Sequence, residues 1–180
     1  MKGRGSEGLS GKFDRQISGD DELVSFNASV ARVLGETAVN VAARRGRPIA
    51  VSVVSVSGPL FYCALEGVPH DASEQIRRKQ NTVLRFGSSS LEVGQTFDSA
   101  GLTLESQGLS PLEYSLVGGA IPLRLADVEL VGVLSIVGAD AIHDHALALE
   151  ALRWHLGTTP IQTGTHALRS SRRSDPRVSL

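Results

Sequence analysis

The chain has 180 residues, 41% of them hydrophobic, and a formal net charge of −1. That length supports one domain with its own core, and the near-zero charge leaves no electrostatic footprint for nucleic acid. The apolar runs at 49–56 and 130–137 are too short to cross a bilayer as helices, and the single cysteine, Cys63, excludes an intramolecular disulfide or a cysteine-based zinc site.

Residues 1–20 are rich in Gly, Ser and charge, which reads as a flexible arm. No apolar stretch backs the first charges, so no secretory signal is expected and the cytoplasm is the expected location. Leu23, Phe26, Val30, Val33, Thr37 and Val41 recur at helical spacing. Asn27 is a good N-cap within that run. Arg44, Arg45, Gly46 and Pro48 supply helix-stop chemistry.

Residues 49–56 (IAVSVVSV) read as a strand covered on both faces, and 60–65 (LFYCAL) as its hairpin partner across Ser57-Gly58-Pro59. The stretch 71–90 (DASEQIRRKQNTVLRFGSSS) then reads as one basic helix. Asp71 and Glu74 have capping-box spacing. Ile76, Val83 and Phe86 share a face, and Lys79 falls on that apolar side. Gly87 stops the helix.

Residues 91–107 predict a short helix and an irregular link. Residues 113–117 read as a short strand broken at Gly118-Gly119. Residues 120–125 read as a strand carrying Pro122, which places it at an edge or a bulge, 126–129 as a hairpin turn, and 130–137 as a second apolar strand. The last helix, at about 141–156, is apolar on more than one side, which predicts a subunit interface. Residues 158–180 read as a basic flexible tail, leaving 21–157 as the domain. The class is α+β, with an antiparallel sheet covered by helices on both faces.

Ile76-Arg77-Arg78-Lys79-Gln80-Asn81, Val83, Arg85-Phe86-Gly87 and Ser88-Ser89 carry a resemblance. So do Ala31, Leu34, Gly35, Gly118-Gly119, Pro122-Leu123-Arg124, Gly132, Asp144-His145-Ala146 and Glu150-Ala151-Leu152. Over residues 22–157 the chain resembles the haem-degrading domain family, HbpS-like and GlcG-like. Within it, the chain is similar to the uncharacterised branch that includes a yeast protein associated with tail-anchored protein targeting. The resemblance implies a profilin-like α-β-α sandwich with a five-stranded antiparallel sheet, and a homo-oligomer, either a dimer or a larger ring. It implies haem or another tetrapyrrole as ligand, or an adaptor that contacts a protein partner and holds no cofactor. The branch usually has a histidine before the double glycine and an aromatic residue before the proline. Here Val117 and Ile121 stand at those positions.

Haem needs an axial ligand and cations for its propionates. By family position His145 is the candidate ligand; the plainer reading has it packing on the apolar stripe of the last helix. Arg77, Arg78, Lys79 and Asn81 are the candidate ligand-binding groups, and the plainer reading of the basic run is a solvated or salt-bridged face. Lys79 is the exception, because a charge on the apolar side needs a partner. His143, Asp144 and His145 diverge on a helix and cannot share one ion. No nucleophile, acid–base pair or phosphate loop is legible, so no catalytic residue is assigned.

Overall fold

The computed structural model describes residues 21–126, 128–138 and 140–157, with only the backbone of residues 128 and 129. The expected arm 1–20 and tail 158–180 lie outside the described residues. The element order is α1 (Ala28–Arg44), β1 (Ala50–Ser55), β2 (Gly58–Ala64), α2 (Ala72–Phe86), α3 (Ser90–Ser99), a 3-10 turn (Glu105–Gln107), β3 (Ala120–Leu125), β4 (Val128–Val137) and α4 (Ala141–Leu156).

The sheet runs β2-β1-β4-β3 and every neighbouring pair is antiparallel. Alternation along the strands sends residues to two cores. Val51, Val53, Ile121, Leu123, Leu134 and Ile136 pack with Ala31, Leu34, Ala38, Leu147, Ala151 and Leu152 of α1 and α4. Ala50, Val54, Ala120, Val133 and Val137 pack on the opposite face with Ala72, Ile76 and Val83 of α2. The architecture is therefore three-layered, helix pair on sheet on helix pair, as the apolar patterning predicts.

Four expectations need correction. Among the described residues the sheet has four strands rather than five. Residues 113–117 form turns and an open link, because Asn81 and Thr82 side chains take up the carbonyls of Glu113 and Ser115. Asp71 makes no side-chain cap. Its carboxylate accepts from Gln75 Nε2 at 2.8 Å, and Glu74 turns to Arg77 instead. Leu23 lies outside α1; it bridges in parallel to Leu125, while Asn27 caps the helix by accepting from the backbone of Ser29 and Val30.

Candidate functional site

Lys79 occupies the apolar side of α2, where Ile76 and Val83 flank it in the helical repeat, and its side chain is 2% exposed. A buried ammonium needs compensation. It finds Asp144 of α4, with Nζ 3.6 Å from Oδ2, and donates to the carbonyl of Ile136 at 3.3 Å. Asp144 Oδ2 also accepts from the Gly138 amide at 3.0 Å. Burial lowers the Lys79 pKa against the pull of Asp144. Burial likewise raises that of Asp144 against Gly138 and Lys79. Desolvation thus outweighs attraction on both partners.

The pair joins the two helix layers around the end of the sheet, and the double glycine makes room for it. A Cβ at Gly119 would lie 2.7 Å from Lys79 Nζ, 3.1 Å from Asp144 Cβ and 2.5 Å from the Ile136 oxygen. Gly119 also has φ +124°, which side chains avoid. At Gly118 a Cβ would meet the Ala141 carbonyl at 2.8 Å and the Leu91 side chain at 3.3 Å, so the first turns of α3 and α4 close on it.

His145 sits one residue past Asp144 and is 7% exposed. Burial lowers its pKa, and Glu92 of α3 opposes this only in part, so the imidazole is neutral at pH 7. Its Nδ1 is buried without a hydrogen-bond partner. Glu92 itself closes the start of α3: its carboxylate accepts from Ser89 N and Ser89 Oγ, both at 2.9 Å. This capping box is written in the sequence as Ser89-Ser90-Leu91-Glu92, a signal hidden by reading the serines only as a helix stop. Any anion site there is filled by the chain's own carboxylate.

The other candidates gather elsewhere. Arg77 pairs with Glu74 and Glu113, both at 2.6 Å, and donates to the Leu112 carbonyl at 2.7 Å. Hydrogen bonding to Glu74 and Glu113 raises its pKa. Arg78 Nη1 donates to the Pro111 carbonyl at 3.4 Å, and its Nε is buried without a partner. Asn81 Nδ2 donates to the Glu113 carbonyl at 2.8 Å. Thr82, absent from the expected set, donates to the Ser115 carbonyl at 2.8 Å and accepts from Ser115 N at 3.1 Å. Four polar side chains of α2, two pairs one turn apart, thus strap down residues 111–115, and Leu109, Tyr114 and Leu116 of this stretch and its flanks cover Val93 and Phe97. Lys79 and Asp144 stand together beside Gly119, and His145 follows Asp144 on α4 and faces Glu92; Arg77, Arg78 and Asn81 stand apart from them.

This arrangement does not fit haem. The imidazole is almost wholly enclosed, 7% exposed. The cations are already bound to internal partners. A pocket of about 40 Å³ opens beside Asp144, between Arg47, Pro48 and His143, against roughly 300–1,000 Å³ for a small-molecule site. It suits a water molecule. Among the described residues, no group of three His, Cys, Asp or Glu side chains could hold a metal ion.

The family model for the haem-degrading protein HbpS-like matches residues 26–153. The chain belongs to the HbpS-like haem-degrading family. A UPF0303 protein from Zymomonas mobilis is 35% identical over 147 residues, covering 81% of this chain and 79% of that protein. Among solved structures, the Ybr137w protein superposes with a TM-score of 0.70 and 26% identity, over 78% of this chain and 84% of its own. The complex of PduOC with haem superposes with a TM-score of 0.62 and 22% identity, over 72% and 94% of the two chains; that likeness shows the shared fold. Val117, where the family resemblance leads one to expect histidine, is half exposed, and Ile121 is fully buried in the core. Among the described residues no helix is long and apolar enough to cross a membrane.

Proposed function

We propose that this protein is an oligomeric protein-interaction module of the HbpS-like haem-degrading family, cytoplasmic, with residues 21–157 as the working unit. One observation carries the reading. The side chains that would hold a cofactor are spent inside the chain: Lys79 on Asp144, Arg77 on Glu74 and Glu113, Asn81 on the Glu113 carbonyl. The basic helix is a brace. Apolar groups that serve no internal core lie outside, with Ile142 64% and Trp154 46% exposed on α4 and Val33 42% exposed on α1. Exposed apolar side chains on neighbouring helices are what a protein contact uses.

Light scattering on the full chain, with no ligand added, tests this. An assembly larger than one chain is expected; a monomer at micromolar concentration would contradict it. A second reading, haem or tetrapyrrole binding, is favoured by the family match and by the haem complex of PduOC, which shares the fold. It would use groups outside the set of Arg77, Arg78, Lys79, Asn81 and His145.

A further inference from the structure

β2 and β3 are the two edges of the described sheet, and the chain treats them differently. Outside β3 lies Leu23, which bridges to Leu125 and donates its N–H to the Arg124 carbonyl at 2.8 Å. β3 also carries Pro122. Ile136 N donates to Gly119 O at 2.7 Å, so 119 and 136 are a bonded pair. Alternation then puts the Pro122 nitrogen on the outer side, with no hydrogen to offer. A covering segment and an outward proline are devices that stop an edge from recruiting another strand.

β2 keeps its guards at one end. Pro59 and the register shift between Val53 and Val54 lie beside the turn. From Phe61 to Ala64 the strand is regular and uncharged, and none of the described strands pairs with its outer side. Leu65 N donates to Ile49 O at 2.9 Å, making 49 and 65 a bonded pair. With Val51 opposite Cys63 and Val53 opposite Phe61, alternation bonds Phe61 and Cys63 inward. Tyr62 and Ala64 therefore turn their N–H and C=O groups outward.

Resting on the reading of this protein as an oligomeric module, we infer that β2 is the interface between two copies, paired antiparallel about a two-fold axis at Cys63. The strand is self-complementary about that residue. Tyr62 of each copy faces Ala64 of the other, and their outward backbone groups exchange hydrogen bonds. The tyrosine, 52% exposed in the single chain, lies over an exposed alanine, a large residue against a small one. Neither Tyr62 nor Ala64 belongs to the cores that α2 closes, which leaves both side chains available on that face. An isologous contact of this kind closes on itself and joins two four-stranded sheets into one of eight.

The axis places the two Cys63 residues directly opposite each other as a non-hydrogen-bonded pair, roughly 4.5 Å apart at Cα, within disulfide reach. The test uses the full chain. Under a mild copper oxidant at low micromolar concentration, wild-type protein is expected to give a covalent dimer and Cys63→Ser none. Tyr62→Pro removes an outward N–H that pairs with none of the described residues, so it is expected to halve the assembly mass in light scattering and abolish cross-linking. Its thermal unfolding should stay within a few degrees of wild type. If the wild type assembles but Cys63 does not cross-link, or Tyr62→Pro leaves the mass unchanged, the β2 interface is wrong and the module reading stands on another surface. A monomeric wild type overturns both.

Discussion

Lys79 of α2 and Asp144 of α4 sit on opposite faces of the sheet, yet Nζ and Oδ2 are 3.6 Å apart with both side chains almost wholly out of water. The pair meets at the end of β3 and β4, where Gly119 and Gly138 leave no Cβ in the way. A buried ion pair of this kind adds little net stability but is costly to break on one side. Removing Asp144 alone, as Asp144→Leu, is therefore expected to lower unfolding free energy by about 3–5 kcal/mol. The double change Lys79→Met with Asp144→Leu should recover most of that loss. Urea denaturation of wild type, Lys79→Met, Asp144→Leu and the double variant measures the coupling; additive losses would show that the charges do not act as a pair.

Gly119→Ala is expected to cost at least about 2 kcal/mol, because alanine at φ +124° is strained and its methyl meets Lys79 and the Ile136 carbonyl. In a Lys79→Met background the cost should fall, since one of the two collisions becomes softer, but not vanish. Thermal melts of the single and double variants decide it.

How much of this was legible in the sequence follows from the range of each interaction. The Ile76, Lys79, Val83 spacing alone places the lysine among apolar groups, and Asn27 announces the helix start that it caps. The partner of Lys79 was not legible, because only the folded sheet brings α4 beside α2. Residues 113–117 imitate a strand by alternating apolar and polar groups. Their backbone bonds go to Asn81 and Thr82, a contact no local pattern encodes. The Ser89–Glu92 capping box was in plain view as S-x-x-E.

The strap from α2 to residues 111–115 gives a local prediction. Asn81→Ala removes the bond to the Glu113 carbonyl, and Thr82→Val those to Ser115. Each variant is expected to speed amide exchange in residues 110–117 by at least about tenfold, at roughly 1–1.5 kcal/mol per lost bond, with Thr82→Val the larger because it loses two. Exchange in β1 and β4 should stay unchanged. Uniform acceleration across the sheet would mean the loop is not a separate unit.

His145 sets an acid limit. Its folded pKa lies below the ordinary 6.5 because burial disfavours the imidazolium. The unfolded chain therefore takes up the proton first as pH falls, and stability declines from about pH 6.5 downward until the folded histidine also titrates. Asp144 works the other way at lower pH, since its raised pKa makes the folded chain hold a proton more readily than the unfolded one. His145→Gln should flatten the slope near pH 6 while leaving the lower-pH behaviour intact. Melts between pH 7.5 and pH 5 compare the two proteins; equal slopes would remove His145 as the cause.

On the proposed reading, the basic helix and His145 brace the fold and do not hold haem. Haem titration of the full chain, followed at the Soret band for wild type and His145→Ala side by side, decides between bracing and binding. No saturable one-to-one Soret shift that depends on His145 is expected. A saturating band in the wild type that is lost in a folded His145→Ala variant would overturn the bracing role.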